Sequence, residues 1–242
     1  VEEAFRRLGE HNIKGLILNL RGNPGGLLNE GVAVADRFLR KGQGIVSHRG
    51  RISSDKPYAA KQGNSGRDYP IVVMVDHQSA SAAEIVAGAL QDHDRAWIFG
   101  ERTFGKGLVQ TVYPLRENTG LALTTAHYYT PSGRLIQRDY SNSSFLDYYY
   151  GQGRKEPDPK IALDVKMTDA GRTVYGGGGI KPDENYSPPG LNRFQSLRAL
   201  HERLLSDFII SDFNNERAYE TAKQFFGSST IRFAGIDGTM YS

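Results

Sequence analysis

Cysteine is absent from all 242 residues, which excludes disulfides, thiolate nucleophiles and cysteine-ligated zinc. The absence leaves the compartment open, because an oxidising envelope and a cytosol both accommodate it. No apolar run reaches the roughly 18 residues that a membrane-spanning helix needs. Clustered positive charge is missing too: 30 basic against 27 acidic residues leave a net charge of +3, and the basic residues are scattered. A nucleic-acid partner is therefore not expected. What is present, 38% hydrophobic and 24% charged residues, describes an ordinary globular chain. Its length suits one large domain, or one domain with an appendage. The chain opens on VEEAFRRLGEHNIKG without Met or a signal-peptide pattern, so Val1 is expected to begin a fragment or a processed form.

Hydrophobic periodicity then orders the chain. Residues 2–10 read as a short helix with Ala4, Phe5 and Leu8 on one face. GLILNLRG (15–22) has the length and composition of a strand buried on both faces, NPGG (23–26) breaks it, and 27–39 shows helical spacing. The same strand–turn–helix pattern recurs as YPIVVMVD (69–76), HQSAS and AAEIVAGALQD (82–92). GIVSHRGR, AWIFGE, GLVQTVYPL and GLALTTAHYYT read as further strands, and residues 53–68 as a polar loop or flexible hairpin. Two more strands are expected around the turn at Asp169-Ala170-Gly171, and residues 139–160 read as loop. After YSPPG, residues 191–226 carry a helical pattern. The expected division is thus 1–188 as a main α/β domain and 189–242 as a C-terminal helical segment.

GERTFGKG (100–107) is one letter short of a P-loop, but Gly107 stands where magnesium would require Ser or Thr. The residues that follow, LVQTVYP, are β-branched and aromatic, so a strand rather than a phosphate-binding helix comes next. Lys106 therefore needs a different task. Ser81 lies at the switch from a buried strand to a helix, where a hydroxyl is presented as in a nucleophile elbow and the N–H of Ala82 can stabilise an oxyanion. A serine needs a base. His11, His48, His77, His93, His127 and His201 are scattered, and none sits in a triad-like motif. Lysine serves instead when its pKa is brought down by several units from about 10.4. Lys106, between Gly105 and Gly107, follows Ser81 by one helix and one strand. Plainer readings stand beside these: Ser81-Ala82-Ala83-Glu84 fits a capping box, Lys106 fits an exposed turn, NPGG a tight turn, and Gln110 an outward-facing strand position.

Taken together and in order, LILNLRGNPGGLLNEGVAVADRFL, SASAAEIVAGALQDHDRA and GERTFGKGLVQTVYPL resemble the C-terminal processing peptidases, or tail-specific proteases. HYYTPSGRLIQ and GGGGIKPD extend the resemblance over residues 5–185, short of the helical tail. It implies an α/β fold, a mixed sheet flanked by helices in a crotonase-like or ClpP-like core. It also implies a serine protease with Ser81 as nucleophile, Lys106 as general base and Gln110 orienting the lysine amine. The family's oxyanion hole would then use the amide of Ala82 and that of Gly25 or Gly26. Ser79 is an alternative nucleophile by chemistry alone, and Asp92 a candidate supporting residue. Members commonly carry a PDZ domain in or before this core; no such segment is seen, so a peptidase core lacking it is expected. His77-Gln78 also departs from the small pair usual there.

The implied activity is cleavage of protein or peptide substrates with accessible C-termini, without cofactor or metal, in the periplasm or cell envelope. A membrane-proximal setting and a homo-oligomer or adaptor are left open. The rival readings are a catalytically silent binding module on the same fold, a crotonase-type acyl-CoA enzyme and a tricorn-like core. Absence of Ser81, Lys106 or Gln110 would favour the silent module, and all three are present.

Overall fold

The computed structural model describes residues 1–9, 13–51, 55–116, 119–139 and 164–186, with two short strands at 233–234 and 240–241. The chain divides into two compact units, Val1–Ser187 and Pro188–Ser242. Of the second, the described part is an antiparallel pair, Phe233–Ala234 with Met240–Tyr241. The helical pattern read at 191–226 and, beyond Asp139, the loop read at 139–160 lie outside the described residues.

In the first unit, helix α1 (Glu2–Leu8) ends at Gly9 in the left-handed conformation that glycine accepts without penalty. Strand β1 (Leu16–Asn19) leads through NPGG to helix α2 (Leu28–Asp36). Strands β2 (Gly44–Arg49), β3 (Lys56–Ala59) and β4 (Ile71–Val75) precede helix α3 (Ala82–Asp92). Strands β5 (Trp97–Gly100), β6 (Leu108–Pro114), β7 (Gly120–Tyr129), β8 (Val165–Met167), β9 (Thr173–Tyr175) and β10 (Glu184–Asn185) follow.

The expected α/β class is found, with the two strand senses segregated into separate sheets. One sheet, in the order β1-β4-β5-β10, is parallel throughout. The other, β3-β2-β7-β6, is antiparallel. The pair expected around Asp169-Ala170-Gly171 is the β8–β9 hairpin. β3 lies inside the segment read as a polar loop or hairpin. It is an edge strand, mostly exposed and carrying Pro57, and an edge is where a residue without an N–H is tolerated.

All eleven residues of α3 are buried, which explains why AAEIVAGALQD is small or apolar nearly all round. Gly31 of α2 allows close packing on its start, since a methyl there would lie 3.1 Å from Ala82 Cβ. Phe38, Leu39, Ile45, Val73, Ile85, Leu90 and Ile98 form the centre of the core between the helices and the sheets. β1 and β4 are parallel neighbours, so the two turns that leave them, NPGG and HQSAS, emerge at the same edge of the sheet. In parallel α/β sheets the crevice beyond these carboxyl ends is where ligands bind.

Candidate active site

The two turns are stitched together by the main chain. Ala80 N–H donates to Asn23 O at 2.9 Å, and Gly22 N–H donates to Asp76 Oδ1 at 2.9 Å. Ser79 is fully buried, its hydroxyl donating to Leu20 O at 2.8 Å and accepting from Asp76 N–H at 3.0 Å. It is thus a structural clamp and is not available as a nucleophile.

Ser81 is half-buried and stands at the N-terminus of α3 with φ 55° and ψ −116°. An ordinary N-cap is extended, whereas a non-glycine residue at positive φ is costly and is retained where the surroundings enforce it. Its pairing with Glu84 has the outline of a capping box, yet Glu84 N–H donates to the Ser81 carbonyl oxygen at 2.9 Å. The Ser81 side chain nevertheless meets the Glu84 N–H in the reciprocal capping box, as the Glu84 carboxylate meets the Ser81 N–H. The capping reading is thus met by Ser81 and Glu84, but it does not explain the positive φ of Ser81. Relief of strain gives a test: Ser81→Gly is expected to exceed Ser81→Ala in stability by about 1 kcal/mol in chemical denaturation. Equal or lower stability would mean that the conformation is not strained.

Gly25 packs against this turn with φ 96°, and a methyl on it would lie 2.5 Å from Ala80 O and 2.8 Å from both Ala82 N and Ser81 Cβ. The Gly25 N–H is committed to Asn23 Oδ1 at 2.9 Å. Among the described residues, the N–H groups of Gly26 and Ala82 have no hydrogen-bond partner. Of the two glycines read as candidate oxyanion donors, Gly26 is thus the one with a free amide, and Gly25 makes the close approach sterically feasible.

The GKG loop arrives from the other side. Phe104 N–H donates to Ser79 O at 2.9 Å. Gly107 N–H donates to Gln137 Oε1 at 2.9 Å, and Arg138 N–H to Gly105 O at 3.1 Å, which gives the HYYTPSGRLIQ motif a structural reason. Lys106 is half-buried and precedes β6, in which Gln110 is exposed. Gln110 pairs with Thr124, one residue past a register shift at Val109/Gln110. The extra residue of that shift, Thr125, lies on β7, and among the described residues no hydrogen bond joins Gln110 to Lys106.

What joins Ser81 to Lys106 is Glu84. Its Oε2 accepts the N–H of Ser81 and the N–H of Lys106, each at 2.8 Å. Its Oε1 accepts Thr103 Oγ1 at 2.5 Å and Gly105 N–H at 2.7 Å. Burial pushes the Glu84 carboxyl above its ordinary value, and the four donors act against that rise. Sequence reasoning saw Glu84 only as the acidic member of a capping box and did not single out Thr103.

The remaining sequence candidates are dispersed. Asp92 is at the far end of α3, about 16 Å from Ser81 by the helical rise, where it pairs with buried Arg134. His77 Nδ1 contacts Glu101 Oε2 at 3.0 Å, and His93 sits between Asp169 and Gly44 O. Burial lowers the pKa of His48, aided by Lys56. Among the described residues no histidine hydrogen-bonds Ser81; His11 and His201 lie outside them.

The profile of peptidase family S41 matches residues 1–141. The carboxy-terminal-processing protease of Bartonella bacilliformis is 52% identical over 138 residues, 57% of this chain and 32% of that protein. The carboxyl-terminal-processing protease of a Synechocystis species is 44% identical over 138 residues, with the same coverages of 57% and 32%. The chain thus spans about a third of the length of these curated relatives. Among solved structures, a photosystem II D1 C-terminal processing protease superposes with a TM-score of 0.54 at 31% identity, over 82% of this chain and 42% of that one. A putative S41 protease from Bacteroides fragilis aligns with a TM-score of 0.52 at 15% identity, over 85% of this chain and 48% of that one, and shares the fold.

Proposed function

This chain belongs to peptidase family S41, and from that premise we propose that it is a serine endopeptidase cleaving protein substrates near their C-termini. Ser81 Oγ attacks the scissile carbonyl while the neutral amine of Lys106 takes its proton. The N–H groups of Gly26 and Ala82 receive the oxyanion of the tetrahedral intermediate. Collapse breaks the C–N bond, the proton passes from Lys106 to the leaving amine, and an ester remains on Ser81. Water then attacks this acyl-enzyme, giving a proton to Lys106 that returns to Ser81 Oγ as the acid product leaves. Gln110 orients the lysine amine, as the resemblance implies. No cofactor enters.

The observation that carries this reading is a strained serine at the start of a buried helix, tied through one carboxylate oxygen to the main chain of a lysine. The same reading assigns the enzyme to the periplasm or cell envelope, which fractionation of the producing cell tests. Its central test pairs an unfolded protein substrate with an active-site probe. Mass spectrometry should find new C-termini close to the original ones, and a fluorophosphonate should label Ser81. A protein that neither cleaves nor labels would overturn the reading.

A further inference from the structure

We propose that Glu84 is a positioning residue for this reaction, holding nucleophile and base in one frame through their main chains; the inference rests on the Ser81–Lys106 reading above. Ser81 and Lys106 belong to different segments, and neither fixes the other by local geometry. One oxygen, Oε2, accepts both of their N–H groups at 2.8 Å. The other oxygen holds Thr103 and Gly105 at 2.5 and 2.7 Å. All four partners donate, and only an ionised carboxyl accepts at every site without setting an O–H against an N–H.

A helix cap does not need this arrangement. A capping glutamate needs one of the four bonds and ordinarily sits in solvent, whereas Glu84 is 0% exposed. Among the described residues no cation forms a salt bridge with it. Burial raises its pKa above the ordinary 4.5, so the fold favours the protonated form. The stability this gives is present below the unfolded value and is lost as pH rises through the folded one. The four donors that converge on this one buried carboxyl are more than a cap requires and argue for a further role.

The frame extends past Glu84. Thr103 Oγ1 donates to Glu84 and accepts Ile180 N–H at 2.7 Å, while Thr103 N–H donates to Ile180 O at 3.1 Å. A methyl on Gly179 would lie 2.6 Å from Thr103 O and 3.0 Å from Gly105 N, so glycine permits this contact. GGGGIKPD is thereby tied to the Lys106 loop through Thr103.

The experiment compares Glu84→Gln, Thr103→Val and Thr103→Ser with the full wild-type chain, reading kcat, KM and the rate of fluorophosphonate labelling at Ser81. Glu84→Gln is isosteric but turns an NH2 group toward N–H donors. It is expected to lower kcat and labelling together by about 100-fold, the scale of an ångström-sized misplacement, with KM within about twofold. Thr103→Val removes one donor, leaves Ser81 and Lys106 untouched, and is expected to lower both by about tenfold; Thr103→Ser should restore them. Wild-type kcat in folded Glu84→Gln would overturn the inference. Should that variant not fold, wild-type labelling in Thr103→Val would overturn it equally. If wild type itself neither cleaves nor labels, the Ser81–Lys106 reading fails and takes this inference with it. An active wild type with equally active variants refutes Glu84 alone.

Discussion

Replacing Lys106 with alanine is expected to lower turnover by about 10^4-fold or more, with the melting temperature little changed. The magnitude is that of removing the base from a nucleophile–base pair, when only oxyanion stabilisation and binding remain. Stability should hold because the bond that anchors residue 106 is made by its backbone N–H to Glu84, and alanine keeps it. Lys106→Arg separates two roles for the same side chain. Arginine retains the positive charge and most of the length but is not deprotonated in proteins, so it cannot accept the Ser81 proton. If Lys106 acts as base, the arginine variant is as inactive as the alanine variant. If Lys106 only supplied charge, the arginine variant would retain much of the activity. Turnover on an unfolded protein substrate, with fluorophosphonate labelling as the check on Ser81 itself, distinguishes the two. Wild-type turnover in Lys106→Ala would remove lysine from the mechanism.

Asp92→Ala is expected to cost about 3–5 kcal/mol of folding stability, the penalty of leaving a buried charge without its partner. Asp92 and Arg134 are 2% and 1% exposed. Arg134 Nη2 pairs with Asp92 Oδ1 and also donates to Gln91 Oε1 at 3.0 Å. Asp92 Oδ2 accepts Ser132 N–H at 2.9 Å, and its carbonyl oxygen accepts Asp169 N–H at 2.8 Å. Burial lowers the Arg134 pKa, and the neighbouring Asp92 carboxylate opposes that shift. In a chain of this size each kcal/mol moves the melting temperature by roughly 2–4 °C, so a fall of about 6–20 °C should be seen. Turnover per folded molecule at low temperature should be close to wild type, because the pair lies at the far end of α3 from Ser81. An Asp92→Leu, Arg134→Met double variant should recover most of the stability by removing both charges. Loss of turnover with stability intact would instead make Asp92 part of the chemistry.

How much of this was legible beforehand differs from element to element. The buried strand at Ile71–Val75 and the helix at Ala82–Asp92 followed from an apolar run, a turn and a capping pattern, because their stability is recorded in residues a few positions apart. The strand after GKG was likewise evident from β-branched and aromatic residues, and β6 occupies that segment. β3 was not, because an exposed edge strand carries neither alternation nor an apolar run, and its pairing with β2 is made by backbone groups common to every residue. The ordered motifs pointed to Ser81 and Lys106, but the plainer readings of each could not be set aside on sequence alone.

The sequence by itself determined the α/β class, the turn–helix units and the chemical types available, since these depend on composition and on period. Only the tertiary structure decided that Ser81 adopts positive φ, that Gly25 spends its N–H on Asn23 while Gly26 keeps its own free, and that Glu84 serves Ser81, Thr103, Gly105 and Lys106 together. The physical reason is range. A capping box is settled within four residues, whereas a buried carboxylate must be satisfied by whatever donors the returning chain brings to it, here from 19 to 22 positions away.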